Sequence, residues 1–286
     1  LYGGFFCSGV VDMYQIIKEN QIFPNHVLEY RKDRYFYYVL LDGKRIASFH
    51  ITINTRVGSL SVKLQDVDDL YELLNRIYQF LINRYRLEKV TYSDSNKEIR
   101  EELKNLSFYA KGKILQRVTD PYRLLCKKGT FDEEGFIVRQ DNTDVIPFGL
   151  FNSKDKGCGW IAAYNLLHLN QFNLDIYDVS SSLSQSDFFF SAFGESVFLL
   201  YKMLKEKLPV KFLSHTEKQI CNRMRNSDCG ILLYYHKHGA HFTMYRKIDA
   251  DKYQFINAVY GRELVLTPEE FMKKYTILHI GTIIYM

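Results

Sequence analysis

The sequence has no stretch approaching the ~18 consecutive apolar residues of a membrane-spanning helix, so no span is expected. It has no stripe of Lys and Arg. Basic residues alternate with acidic ones, as in Arg31-Lys32-Asp33-Arg34 and Lys97-Glu98-Ile99-Arg100-Glu101-Glu102, which argues against a nucleic-acid partner. The net charge of +5 over 286 residues is correspondingly mild. Internal repeats and low-complexity tracts are missing too. Residues 1–10 lack the basic start and long apolar core of a secretory signal, and the expected location is cytoplasmic. The chain does not begin with Met, so a processed upstream segment stays open. Five cysteines, Cys7, Cys126, Cys158, Cys221 and Cys229, stand at irregular spacing. An odd, irregular set is no disulfide framework. At least one thiol is expected free, as suits a reducing compartment or a catalytic thiol.

What is present describes a globular chain. Hydrophobic residues make up 47% and charged residues 25%, and the length accommodates two domains. Aromatics reach 15%, almost all Tyr and Phe, enough for well-filled cores. In the first half, residues 36–41 and 45–54 read as strands joined at Asp42-Gly43, a hairpin signal. Residues 59–64 form another strand. Leu70, Leu73, Leu74, Ile77, Phe80 and Leu81 recur at helical spacing within 68–85, with Asp68 and Asp69 at the helix start. A strand at 89–93, a helix at 96–106 and a strand at 109–118 follow. The less periodic stretch 120–147 is the expected connection, giving domains at 1–145 and 146–286; a loop and hairpin belonging to the first domain is the alternative.

The second half begins with a loop at 151–157 and a helix at 159–169. Helices follow near 195–206 and 216–226, then strands at 230–236, 240–247, 253–258, 262–266 and 278–285. One helix interrupts them at 267–275, with Thr267 as cap and Pro268 at its first position. The order is a helical lobe carrying Cys158, then an antiparallel sheet carrying His241.

That order suits thiol chemistry. A helix N-terminus favours a thiolate, Cys158 stands where a helix begins, and Gly157 and Gly159 permit close approach. A nucleophilic thiol needs an imidazole partner, which His241 supplies, and a third group to hold the ring, for which Asn257 lies on the next strand. The Cys158 main-chain N–H and the Asn152 side-chain amide are candidate oxyanion donors. A structural cysteine is the competing reading of Cys158. Cys229, His236, His238 and His241 are the competing zinc set, weakened by the lack of a second metal-like pair. No cofactor is expected.

The segment Asn152-x5-Cys158-Gly159-Trp160-Ile161-Ala162-Ala163 resembles the nucleophile region of papain-like cysteine peptidases, especially the branch of double-glycine leader peptidases. Gly239-Ala240-His241-Phe242 resembles that family's His strand, and Phe255-Ile256-Asn257-Ala258-Val259-Tyr260-Gly261 the strand of its third member. The resemblance covers residues 151–286 and implies a papain-like α+β domain. It further implies a peptide or protein substrate and cleavage through a Cys158 thioester, with catalytic Cys158, His241, Asn257 and Asn152. The branch has Asp-Pro where this chain has Asn257-Ala258, and Gln where it has Asn152. Deamidase- or transglutaminase-type acyl transfer shares the same intermediate and stands as an alternative.

The first half, residues 36–118, resembles the GNAT acyltransferase fold. Asn96, then Leu106-Ser107-Phe108 and the strand beginning Tyr109-Ala110-Lys111, match that family's last helix and the strand after it. Its glycine-rich pyrophosphate loop would fall between Leu64 and Leu70, where this chain has Gln65-Asp66-Val67-Asp68-Asp69. Carboxylates there repel phosphates. Leu103 stands where the family has a Tyr acid. The domain is therefore expected to bind substrate or partner, with acyl-CoA-dependent transfer, or a non-catalytic binding module made from both halves, as rivals.

Overall fold

The computed structural model describes residues 14–19, 33–149, 151–172, 174–186, 196–213, 217–258 and 263–286. The signal-peptide reading at 1–10, Cys7, the Thr216 helix start and Val259-Tyr260-Gly261 lie outside the described residues. Two compact units appear. One holds residues 14–124 with Glu133–Gly135; the other holds Leu125–Asp132 with Phe136–Met286. Among the described residues no helix is long and apolar enough to cross a membrane.

The first unit is a seven-stranded sheet in the order β1-β2-β3-β4-β5-β7-β6. Its strands are β1 (Tyr14–Lys18), β2 (Asp33–Leu41), β3 (Lys44–Asn54), β4 (Val57–Leu64), β5 (Lys89–Tyr92), β6 (Tyr109–Lys111) and β7 (Ile114–Val118). The β2–β3 turn has Asp42 and Gly43 both at positive φ, which an Asp-Gly pair accommodates. Among the described residues only β4 and β5 pair in parallel, and their register stops at Leu60↔Tyr92 while β4 continues to Leu64. The crossover between them is α1 (Leu70–Tyr85), which buries Leu73, Leu74, Ile77, Tyr78 and Leu81 with Val39, Phe49, Ile51 and Val90 of the sheet. Helix α2 (Lys97–Asn105) is capped by the Asn96 side chain. The single strand expected over 109–118 is a hairpin, because Gly112 takes a positive φ and reverses the chain. Strand β1 gave no sequence signal that was recognised.

The short helix α3 (Pro121–Leu125) precedes the second unit. Residues 125–132 and 136–145, expected in the first domain, pack with the C-terminal unit. Buried polar bonds are the reason. The Asn165 side chain accepts from the Ile137 N–H at 2.8 Å and donates to the Ile137 carbonyl at 2.9 Å. Such paired groups are costly to separate once water is excluded.

In this unit the pair β8 (Pro147–Phe148) and β9 (Phe151–Asn152) leads into α4 (Ser153–Lys156) and α5 (Cys158–Leu169). Helix α6 (Ile176–Ser186) was not expected from sequence; α7 (Val197–Lys205) and α8 (Glu217–Arg225) follow. The main sheet is antiparallel with order β10-β15-β11-β12-β13-β14. These are β10 (Val210–Leu213), β11 (Cys229–His236), β12 (Gly239–Lys247), β13 (Tyr253–Ile256), β14 (Leu264–Leu266) and β15 (Leu278–Tyr285). Helix α9 (Pro268–Tyr275) begins with the Thr267–Glu270 capping box. Leu232, Tyr234, Tyr245, Tyr253 and Phe255 cluster with Ile220, Cys221 and Met224 of α8 and Phe271 and Met272 of α9. Helix α5 lies against β11 and β12.

Replacing Asn165 by Ala leaves both Ile137 main-chain groups buried and unpaired, with an expected cost of roughly 2–4 kcal/mol. Trp160, the single tryptophan, is fully buried in this unit, so urea unfolding followed by its fluorescence reads the effect directly. A change below about 0.5 kcal/mol would mean that this contact does not anchor the segment.

Candidate active site

Cys158 is the first residue of α5, and α4 abuts it through Gly157. The junction is tight. A Cβ at Gly157 would lie 2.4 Å from the Ser153 carbonyl oxygen and 2.6 Å from Trp160 Nε1. Trp160 Nε1 donates to Ser153 Oγ at 3.0 Å, which ties the start of α4 to the first turn of α5. The glycine next to the thiol thus serves helix–helix approach. Cys158 is partly exposed, whereas Cys126, Cys221 and Cys229 are buried.

On the sheet side, pairing of β12 with β13 begins at Met244↔Ile256. Phe242 lies beyond that ladder, and its main-chain N–H, with that of Gly159, opposes the rise that burial imposes on the Cys158 thiol. His241 is the residue before Phe242. Its Nε2 is 2.8 Å from the main-chain oxygen of Asn257. A carbonyl only accepts, so Nε2 carries the proton in the neutral ring and Nδ1 is left with the lone pair. Two residues along β12, Thr243 Oγ1 donates to the Ile256 carbonyl at 2.8 Å. Successive carbonyls at the end of β13 are therefore both held by side chains of β12.

Asn257 differs from its expected role. Its side chain does not hold the imidazole. Oδ1 accepts from the Gln140 N–H at 3.1 Å, and Nδ2 donates to Gln140 Oε1 at 3.3 Å. Gln140 Nε2 in turn donates to the Lys154 carbonyl in α4. Asn257 has φ +53, a left-handed conformation that Asn tolerates better than most residues, and this bend turns its carbonyl toward β12. Asn152 is engaged elsewhere as well. Its Oδ1 accepts from the Asp155 N–H at 3.1 Å and caps α4. Gln140 gave no motif in the sequence, since its partners lie in α4 and at the end of β13.

The electrostatics also differ from expectation. Burial pushes the Cys158 thiol up, against the opposing pull of the Phe242 and Gly159 N–H groups. Burial lowers His241, with the Asn257 carbonyl opposing. A raised thiol is protonated below its pKa, and a lowered imidazole is neutral above its own. At neutral pH the resting pair is uncharged. The helix start does not overcome desolvation here.

Tyr234 is the cross-strand partner of His241, with ring centroids 5.8 Å apart. His236 is 5.9 Å from His241 and 5.7 Å from His238. The zinc set is not assembled: Cys229 and His236 are opposite ends of β11, and among the described residues no group of three metal-binding side chains converges.

In the first unit, the N-terminus of α1 supplies its own anion. Asp69 Oδ1 accepts from the Glu72 N–H at 2.9 Å, and Asp66 pairs with Lys44, which holds the Asp66 carboxyl below its usual range. Leu103 is fully buried in α2.

No family model and no curated protein matches the chain. Among solved structures, N-acetyltransferase PseH from Campylobacter jejuni is similar over 30% of this chain and 68% of its own, with 14% identity and a TM-score of 0.27. YhhK from E. coli, solved bound to coenzyme A, is similar over 37% of this chain and 99% of its own, with 12% identity and a TM-score of 0.31. Likeness at this level carries no activity across. The papain-like resemblance rests on the sequence motifs.

If the Asn257 amide serves Gln140, the two side chains are one unit. Asn257→Ala and Gln140→Ala are each expected to destabilise, with a coupling of about 0.5–3 kcal/mol in a double-mutant cycle read by Trp160 fluorescence. Additive losses would separate them.

Proposed function

We propose that the C-terminal unit is an acyl-transfer enzyme that works through a thioester on Cys158. One observation carries this reading. The sulfur stands at the start of α5, whose helix packs on β12, and β12 carries a histidine whose Nε2–H is fixed on the Asn257 carbonyl, leaving Nδ1 as base. In the step we infer, the thiol proton passes to Nδ1 as sulfur bonds to the acyl carbon. The leaving group then takes that proton. Water resolving the thioester gives hydrolysis, and an amine gives transfer; peptide cleavage is the first case. The Cys158 N–H and the Nδ2 that Asn152 keeps after capping α4 are available as oxyanion donors.

This reading makes iodoacetamide label Cys158 ahead of the buried Cys126, Cys221 and Cys229, in a Cys7→Ser background that removes the fifth thiol. Because the thiol is raised, the rate should still climb through about pH 8.5, the ordinary thiol value. Mass spectrometry of the labelled peptide across a pH series checks both points. A plateau below neutrality would indicate a preformed thiolate–imidazolium pair instead.

A second reading, acyl-CoA-dependent transfer by the first unit, is favoured by its strand order and the parting of β4 from β5 beyond Leu60. Asp69 opposes it, since its carboxylate already takes an N–H at the α1 N-terminus that a pyrophosphate would need free. Calorimetry with coenzyme A is expected to give a Kd weaker than about 1 mM, and a micromolar value would restore this reading.

A further inference from the structure

Tyr234 is fully buried in β11, and among the described residues its hydroxyl has no hydrogen-bond partner. The ring is well packed. It meets Phe271 edge-on at 5.2 Å and His241 edge-on at 5.8 Å. The ring alone would fill this place as phenylalanine. A buried hydroxyl left unpaired costs about 1–3 kcal/mol, so its presence calls for a use. Its surroundings indicate which. The phenol is the cross-strand neighbour of the imidazole that takes the thiol proton. Burial, and then a Cys158 thiolate wherever one forms, pushes the phenol up. It therefore stays protonated at every pH at which the enzyme would work, a donor only.

We propose that the Tyr234 hydroxyl is a catalytic hydrogen-bond donor to the oxygen that becomes negative when Cys158 attacks an acyl carbon. The proposal rests on the thioester reading above and deepens it. In the step, sulfur bonds to carbon, the thiol proton goes to His241 Nδ1, and the carbonyl π pair moves onto oxygen. Tyr234 donates a hydrogen bond to that oxygen and keeps its proton. When the oxygen re-forms its double bond, the leaving group departs with the proton from His241. A hydroxyl with no partner in the resting protein loses nothing when it turns to the substrate, and this favours the transition state over the ground state.

The test uses two reagents on the full chain. p-Nitrophenyl acetate acylates through a tetrahedral oxyanion, whereas iodoacetamide alkylates sulfur with no oxyanion. Tyr234→Phe should slow the p-nitrophenolate burst by ~10²–10³, the usual loss for one oxyanion donor. Alkylation of Cys158 should stay within about twofold of wild type. 4-Aminophenylalanine at 234, which restores a donor, should recover part of the burst. Equal slowing of both reagents would assign the hydroxyl to the thiol, and no slowing would make it structural; either overturns the proposal. So would a Tyr234→Phe chain that loses the buried Trp160 signal, since the hydroxyl would then hold the fold. If wild type itself gives no burst dependent on Cys158, the thioester reading has failed, and that outcome is distinct because it shows without any change at Tyr234.

Discussion

A main-chain carbonyl can accept a hydrogen bond but never donate one, and that asymmetry at Asn257 organises the second unit. It assigns the proton of His241 to Nε2 across 2.8 Å and leaves Nδ1 as the basic nitrogen. The carbonyl reaches β12 because Asn257 bends the chain into a left-handed turn as β13 ends. The bend is held by the side-chain pair with Gln140, whose own amide bonds α4 immediately before Cys158. A polar chain therefore runs from the imidazole's anchor to α4, the short helix that abuts the thiol-bearing one through Gly157. Removing a member leaves its partners unpaired in a dry setting, where each such loss is expensive.

Desolvation then decides the resting charge state. Two neighbours of opposite charge would attract, but each would first have to leave water. At this site burial raises the thiol and lowers the imidazole, so the uncharged pair is favoured until something else stabilises charge. Such a site separates charge only when a reacting group arrives, and donors already in position then act with little reorganisation.

Much of the frame was legible from local rules. Asp42-Gly43 announced its hairpin, Asn96 its helix, and Thr267-Pro268 the start of α9. Cys158 at a helix start and His241 on a strand were legible for the same reason: both follow from nearby residues. What was not legible depends on distant partners. Asn165 captures Ile137 across the chain, a pairing no window of sequence contains. Asn257 offered two groups, and the side chain was the obvious one; only the Gln140 pairing frees the main-chain carbonyl for His241. Tyr234 gives no sequence signal, because a missing hydrogen bond leaves no mark on a sequence. The 109–118 hairpin turns on one residue, Gly112, whose positive φ reverses the chain within what the composition makes look like one strand.

The first unit makes the converse argument about helix N-termini. Such a terminus attracts anions because its N–H groups lack partners. At α1 the chain has met that need itself: Asp69 caps the helix, and Asp66 is neutralised by Lys44 on β3. An incoming phosphate would have to displace the Asp69 carboxylate from the helix N–H it caps. Capping stabilises α1, and through it the core of Leu73, Ile77 and Leu81 against the sheet. The same carboxylate thus strengthens the fold and closes the place where a phosphate would bind. A helix start can serve packing or an anionic ligand, and in this unit its residues are committed to packing.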